Sequence, residues 1–191
     1  MSDSGNCQEQ KQLLCNRKKD VSVYNLPGRN QFLVEAEMRD GVHHMKLRMV
    51  VDEPALIIAE ISCEMKSIPD PICLQAENYL QCMVGKRVTA GLTRSLNGLS
   101  TKGCSHLSNL FYEACYDVLL GQSIYGKASL DSAFPGITEE QIYRIFMWFK
   151  PDLKNSCVRY DENAAFMQQV KAAELPPGAE KLKAVAAELR N

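Results

Sequence analysis

A thiol at the first turn of a long apolar helix is the strongest chemical signal in this chain. Gly103-Cys104-Ser105-His106 stands directly before Leu107, Leu110, Phe111, Ala114, Cys115, Val118 and Leu119. Those seven recur at three- and four-residue spacing, one helical stripe that Gly121 is placed to stop. Cys104 then faces the positive end of the helix dipole and unsatisfied N–H groups, which favour thiolate over thiol. His106, two residues on, is placed to act as a base or to join a chelate. Cys73 holds an equivalent position as the third residue of a helix opened by Asp70 as cap and Pro71 as first residue. Where both helices start at one end of a sheet, the two thiols converge.

Soft sulphur and imidazole donors suit Zn or an Fe–S cluster and not Mg or Ca. The expected ligand set is Cys73, Cys104 and His106, with Cys157, His44 or Asp40 as the fourth. The function this implies is a metal- or iron–sulphur-handling accessory protein with a protein partner. A second reading makes Cys104 a nucleophile or a sulphur or acyl carrier, with His106 as its base and Arg94 binding an anion. A third leaves the thiols to packing in a non-catalytic subunit, as Cys63, Cys82 and Cys115 already read. His43-His44, just past a turn, reads as a solvated strand end. No CxxC pair, GxGxxG, phosphate loop, HExxH or GxSxG is present.

The elements that must hold these residues follow from periodicity. Phe32, Val34, Ala36 and Met38 alternate with polar neighbours, Asp40-Gly41 turns the chain, and Met45, Leu47, Met49 and Val51 alternate again. After Asp52-Glu53-Pro54 a third run carries Ile57, Ala59, Ile61, Cys63 and Met65. The period changes to helical near residue 67, with Ile72, Ala76, Tyr79, Leu80 and Met83 on one stripe. Thr138 with Gln141 forms a capping box for a helix carrying Tyr143 to Phe149, and Pro176-Pro177-Gly178 precedes a last solvated helix. The fold expected is α+β: a three-stranded antiparallel meander with helices on one face and a helical C-terminal extension. Residues 1–20, with Cys7 and Cys15, read as a mobile arm, 21–160 as the domain and 161–191 as a helical tail.

Composition narrows the class. The chain has 191 residues, 46% of them hydrophobic, and 22 basic against 23 acidic residues for a net charge of -1. That balance argues against a nucleic-acid surface. No apolar run reaches the roughly 20 residues of a membrane span. The polar N-terminus lacks a signal-peptide core, so the expected location is the cytoplasm, where the eight cysteines stay reduced.

The segment Gly103-Cys104-Ser105-His106-Leu107 resembles the Gly-Cys-Thr/Ser-His-Leu motif of a bacterial family of unknown function. Pro69-Asp70-Pro71-Ile72-Cys73, Met83 to Val88, Thr93-Arg94 and Asn155-Ser156-Cys157 are similar to further segments of that family, as are Asp40 and His44. A weaker resemblance is to iron–sulphur scaffold proteins of the IscU type, in which a ligand Cys opens the helix after the meander, as Cys73 does here. That resemblance implies an IscU- and SufE-like arrangement and a cluster held by thiolates. The scaffold's cysteine in the first hairpin is replaced here by Asp40-Gly41-Val42-His43-His44, so Asp40 or His44 takes its place in the implied ligand set.

Overall fold

The computed structural model describes residues 11–89, 92 and 99–189, so Cys7 and Arg94 lie outside the described residues. Two hairpin turns and one tight loop fold the first part into a single antiparallel sheet in sequence order. Its strands are β1 (Lys18–Leu26), β2 (Gln31–Arg39), β3 (His44–Asp52) and β4 (Ile57–Ser67). Four strands, not three, is the first correction. β1 escaped the periodicity because its inward side carries Lys19 beside only half-buried Val21 and Val23, as suits an edge strand. It begins inside the stretch read as an arm. Pro27-Gly28 joins it to β2: Gly28 has φ +80° and Arg29 N–H closes on Leu26 O at 3.1 Å, the geometry of a type II turn.

Ala36, Leu47 and Cys63 stand abreast on the inner face, as do Met38, Met45 and Met65. A register shift between Val50 and Val51 makes Ile58 the partner of Val51, so the inward set of β4 is Ile58, Ile61, Cys63 and Met65. A bulge of this kind moves one residue across the sheet without disturbing the rest. Helices cover this face. On the other, Asp20, Ser22, Glu35, Lys46, Arg48 and Glu64 line an open polar surface.

Between the sheet and the long helix, residues 71–83 make a broken helical segment. It is 3-10 over Pro71–Ala76, α over one turn (α1, Glu77–Leu80) and 3-10 again over Gln81–Met83. Ala76, Leu80 and Met83 are its buried residues, while Ile72 is exposed. The main cover is α2 (Ser105–Ala133), whose Leu107, Leu110, Phe111, Ala114 and Val118 are fully buried against Phe32, Val34, Met38 and Met49. Each of the Leu, Phe and Val side chains contributes about 1.5–3 kcal/mol of burial.

α2 does not stop at Gly121. The glycine lies inside the helix and lets it press on β1, since a Cβ there would stand 2.7 Å from Val23 Cγ1. The helix ends only before Phe134-Pro135-Gly136, so its last third enters a second cluster. There Leu130 packs with Ile142 and Ile145 of α3 (Glu139–Phe149), and α4 (Ala165–Ala172) and α5 (Lys181–Glu188) lie on α3. The capping box is present as expected, with Gln141 N–H donating to Thr138 Oγ1 at 3.3 Å and Thr138 N–H to Gln141 Oε1 at 2.8 Å. No helix among the described residues is long and apolar enough to cross a membrane.

Candidate functional site

The β2–β3 turn is built on one carboxylate. Asp40 Oδ1 accepts from the backbone N–H of Val42 at 2.8 Å and of His43 at 2.7 Å, and lies 3.2 Å from His43 Nδ1. Its other oxygen, Oδ2, accepts from Arg17 Nε at 2.9 Å and Nη2 at 2.7 Å. These bonds, led by the two backbone N–H groups, hold the Asp40 carboxyl well below the usual carboxylate range. The Asp40 side chain is 4% exposed and that of His43 14%, while Arg17 reaches them from the surface.

Across from it, at the start of α2, stands His106. The His43 and His106 rings lie with centroids 4.1 Å apart and planes tilted by 38°. Burial, then His43, then Arg17 push the His106 pKa below its ordinary value, while Asp40 opposes them. His106 is therefore a neutral imidazole at neutral pH, available as a base or a donor. The contact of His43 Nδ1 with Asp40 Oδ1 orients the His43 ring.

Cys104 is the N-cap residue of α2, with extended backbone and no capping bond from its side chain. Its carbonyl accepts the first bonds of the helix, from Ser108 N and Oγ, both at 2.9 Å. The thiol packs half-buried against the core and lies within electrostatic reach of Cys63. Burial, then Glu77, then Cys104 push the Cys63 thiol up to about 12, and burial alone does the same to Cys115. Neither is a thiolate at neutral pH.

The other expected ligands lie on separate elements. Cys73 is half-buried in the 3-10 turn, and its segment meets the start of α2 where Tyr79 lies against Gly103. A 3-10 turn of six residues gives Cys73 far less dipole than α2 gives Cys104. His44 points to the opposite face of the sheet, its Nε2 2.7 Å from Glu37 Oε1 and 3.3 Å from Arg39 Nη2. Cys157 is exposed beside Tyr160, which stacks on Tyr143 of α3. Both oxygens of Asp40 are already engaged. Among the described residues, no group of three or more His, Cys, Asp or Glu is placed to hold a metal ion.

Residues 16–118 match the DUF2889 family, described as proteins of unknown function. The chain belongs to this family. The family's span holds all four strands and the first half of α2, and with them Arg17, Asp40, His43, Cys104 and His106; Cys157 falls beyond it. No curated protein and no solved structure matches the chain.

Two members of the site were not anticipated from sequence. His43 read as solvated, yet its side chain is only 14% exposed. Arg17 lay in the supposed arm. The signal was Asp40 itself: an aspartate three residues before a histidine in a four-residue turn can cap the turn and orient the ring together.

Proposed function

We propose that this chain acts through Cys104 as a thiol nucleophile or acyl carrier, with Asp40, His43 and His106 handling its proton. The observation that carries this reading is the Asp40-oriented His43 ring stacked on a neutral His106 at the helix end that bears Cys104. In the proposed step an imidazole takes the thiol proton and the sulphur attacks an acyl carbon. The proton then passes from the imidazolium to the leaving group, so the products are a thioester and the protonated leaving group. Asp40, held ionised, orients the His43 ring through Nδ1. Seven free cysteines among the described residues fit a reducing compartment, which supports a cytoplasmic location.

The test is the rate at which iodoacetamide modifies each cysteine, followed by peptide mass spectrometry against pH. Cys104 should react faster than exposed Cys82, and His106→Ala and Asp40→Asn should slow it near neutral pH while leaving the alkaline limit intact. Equal rates at Cys104 and Cys82, or a profile indifferent to both substitutions, would overturn the reading.

A metal- or iron–sulphur-handling accessory role is the second reading. It is supported by the soft Cys104 thiol at the same helix start as His106 and by the resemblance to IscU-type scaffolds at Cys73. Among the described residues no group of donors is placed to hold a metal, so this role draws on donors from a partner protein. Metal analysis of protein purified without oxygen, alone and with a partner, separates it from the first.

A further inference from the structure

Three serines of α2 donate Oγ–H to the carbonyl four residues back, each at 2.9 Å: Ser108 to Cys104, Ser123 to Leu119 and Ser129 to Tyr125. Ser123 differs from the other two in having an amine against it. Lys150 reaches in from the C-cap of α3, and its Nζ stands 3.2 Å from Ser123 Oγ and 3.4 Å from Leu119 O. The cap fixes this approach, since Lys150 N–H closes on Phe146 O at 2.8 Å and Pro151 ends the helix. An ammonium has three hydrogens to donate and here meets these two acceptors, both at long range. A neutral amine has two hydrogens to donate, and its lone pair is left to take a proton. Burial pushes the Lys150 pKa below its ordinary value, and Glu53, from the turn between β3 and β4, is the charge that opposes this. Gln122 bonds to the Glu53 carboxyl and donates to Pro54 O at 3.1 Å, which ties that turn to α2.

We propose that Ser123 and Lys150 form a nucleophile–base dyad for acyl transfer from an ester. A serine hydroxyl is a weak nucleophile until a base within hydrogen-bond reach takes its proton, and a half-buried amine is such a base. Ser123 Oγ attacks the acyl carbon while its proton passes to Lys150 Nζ. The carbon then releases the alcohol oxygen, which takes the proton back from the ammonium, so the products are an acyl-serine and a free alcohol. The dyad stands where α2, α3 and the β3–β4 turn meet, a seam between the two hydrophobic clusters, and such seams are common places for a site. Both residues lie beyond residues 16–118, the stretch that matches the family. The dyad is independent of Cys104, and its test reads a different residue.

A fluorophosphonate probe on the full chain tests this: Ser123 Oγ displaces fluoride from phosphorus, and peptide mass spectrometry reads each serine separately. Ser123 should be labelled about a hundredfold faster than Ser129, which makes the same helical bond and has no amine beside it. The rate should rise with pH as Lys150 loses its proton. Glu53→Gln should move that rise to lower pH, because it removes the charge that favours the ammonium. Lys150→Arg separates a base from a tether, since a guanidinium can donate to Ser123 and Leu119 O but stays protonated. It should abolish labelling of Ser123 while the melting temperature holds. Ser123 labelled no faster than Ser129, or labelled equally well in Lys150→Arg, overturns the dyad and leaves Lys150 as a tether of α3 to α2. A pH profile of the otherwise native chain that Glu53→Gln does not move overturns it as well.

Discussion

Protonating His106 places a cation against His43 and Arg17 in a half-buried position, and the protein resists it. The sign of the linkage follows. A histidine with a folded pKa below its unfolded value of about 6.5 binds its proton more readily in the unfolded chain. Stability therefore falls as pH drops through about 6.5 and levels off below the folded pKa. Imidazole NMR titration should find His106 below its ordinary value, and His43→Ala should move it up. The carboxyl of Asp40 acts in the same direction at lower pH, since its depressed pKa gives stability that is present above the unfolded value and lost on acidification. At the thiols, Cys104→Ser should leave the melting temperature nearly unchanged, because serine caps a helix better than cysteine. Cys115→Ser buries a hydroxyl, but Ser108, Ser123 and Ser129 show how this helix accommodates one, by bonding to the carbonyl four residues back. Its cost should be about 1 kcal/mol by urea denaturation, with alkylation of Cys104 intact. The places of Cys104 and His106 at the start of α2 were legible because their neighbours set the helix register. His43 was not, because whether a turn residue is solvated depends on which helix packs over the turn.

At the scale of elements, the contact between Gly121 and Val23 decides how closely α2 lies on the sheet. Gly121→Ala drives a Cβ into a branched side chain that has little rotamer freedom, and should cost about 1–3 kcal/mol despite the better helix propensity of alanine. Val23→Ala made with it should recover much of that loss, a positive coupling in a double-mutant cycle. Thr138→Ala removes one half of the capping box and should cost about 1 kcal/mol. The contrast between these two positions explains what periodicity can reveal. A capping box is a local pattern with one meaning, whereas a glycine within an apolar stripe reads equally as a stop or as a close approach. β1 was missed for a related reason: an edge strand held by Lys19 on Asn109 and Glu113 has too few inward apolar residues to alternate visibly.

For the molecule as a whole, α2 is the one element among the described residues that belongs to both cores, so the two should unfold together. The single tryptophan, Trp148, lies in the second cluster and reports on it by fluorescence, while circular dichroism reports on every helix. The two transitions in urea should coincide; an earlier loss of Trp148 fluorescence would show the clusters to be independent. The length of α2 has a mechanical corollary. Cys104 lies about 25 Å from Gly121 along the helix axis. With Val23 as the fulcrum, a tilt of about 5° at that contact would swing the Cys104 end by about 2 Å, more than a hydrogen bond tolerates. A long rigid arm thus turns a small change of packing at its middle into a large displacement of its tip. Gly121→Ala should alter the alkylation rate of Cys104 from that distance, and Thr138→Ala, seated beyond the other end of α2, should not.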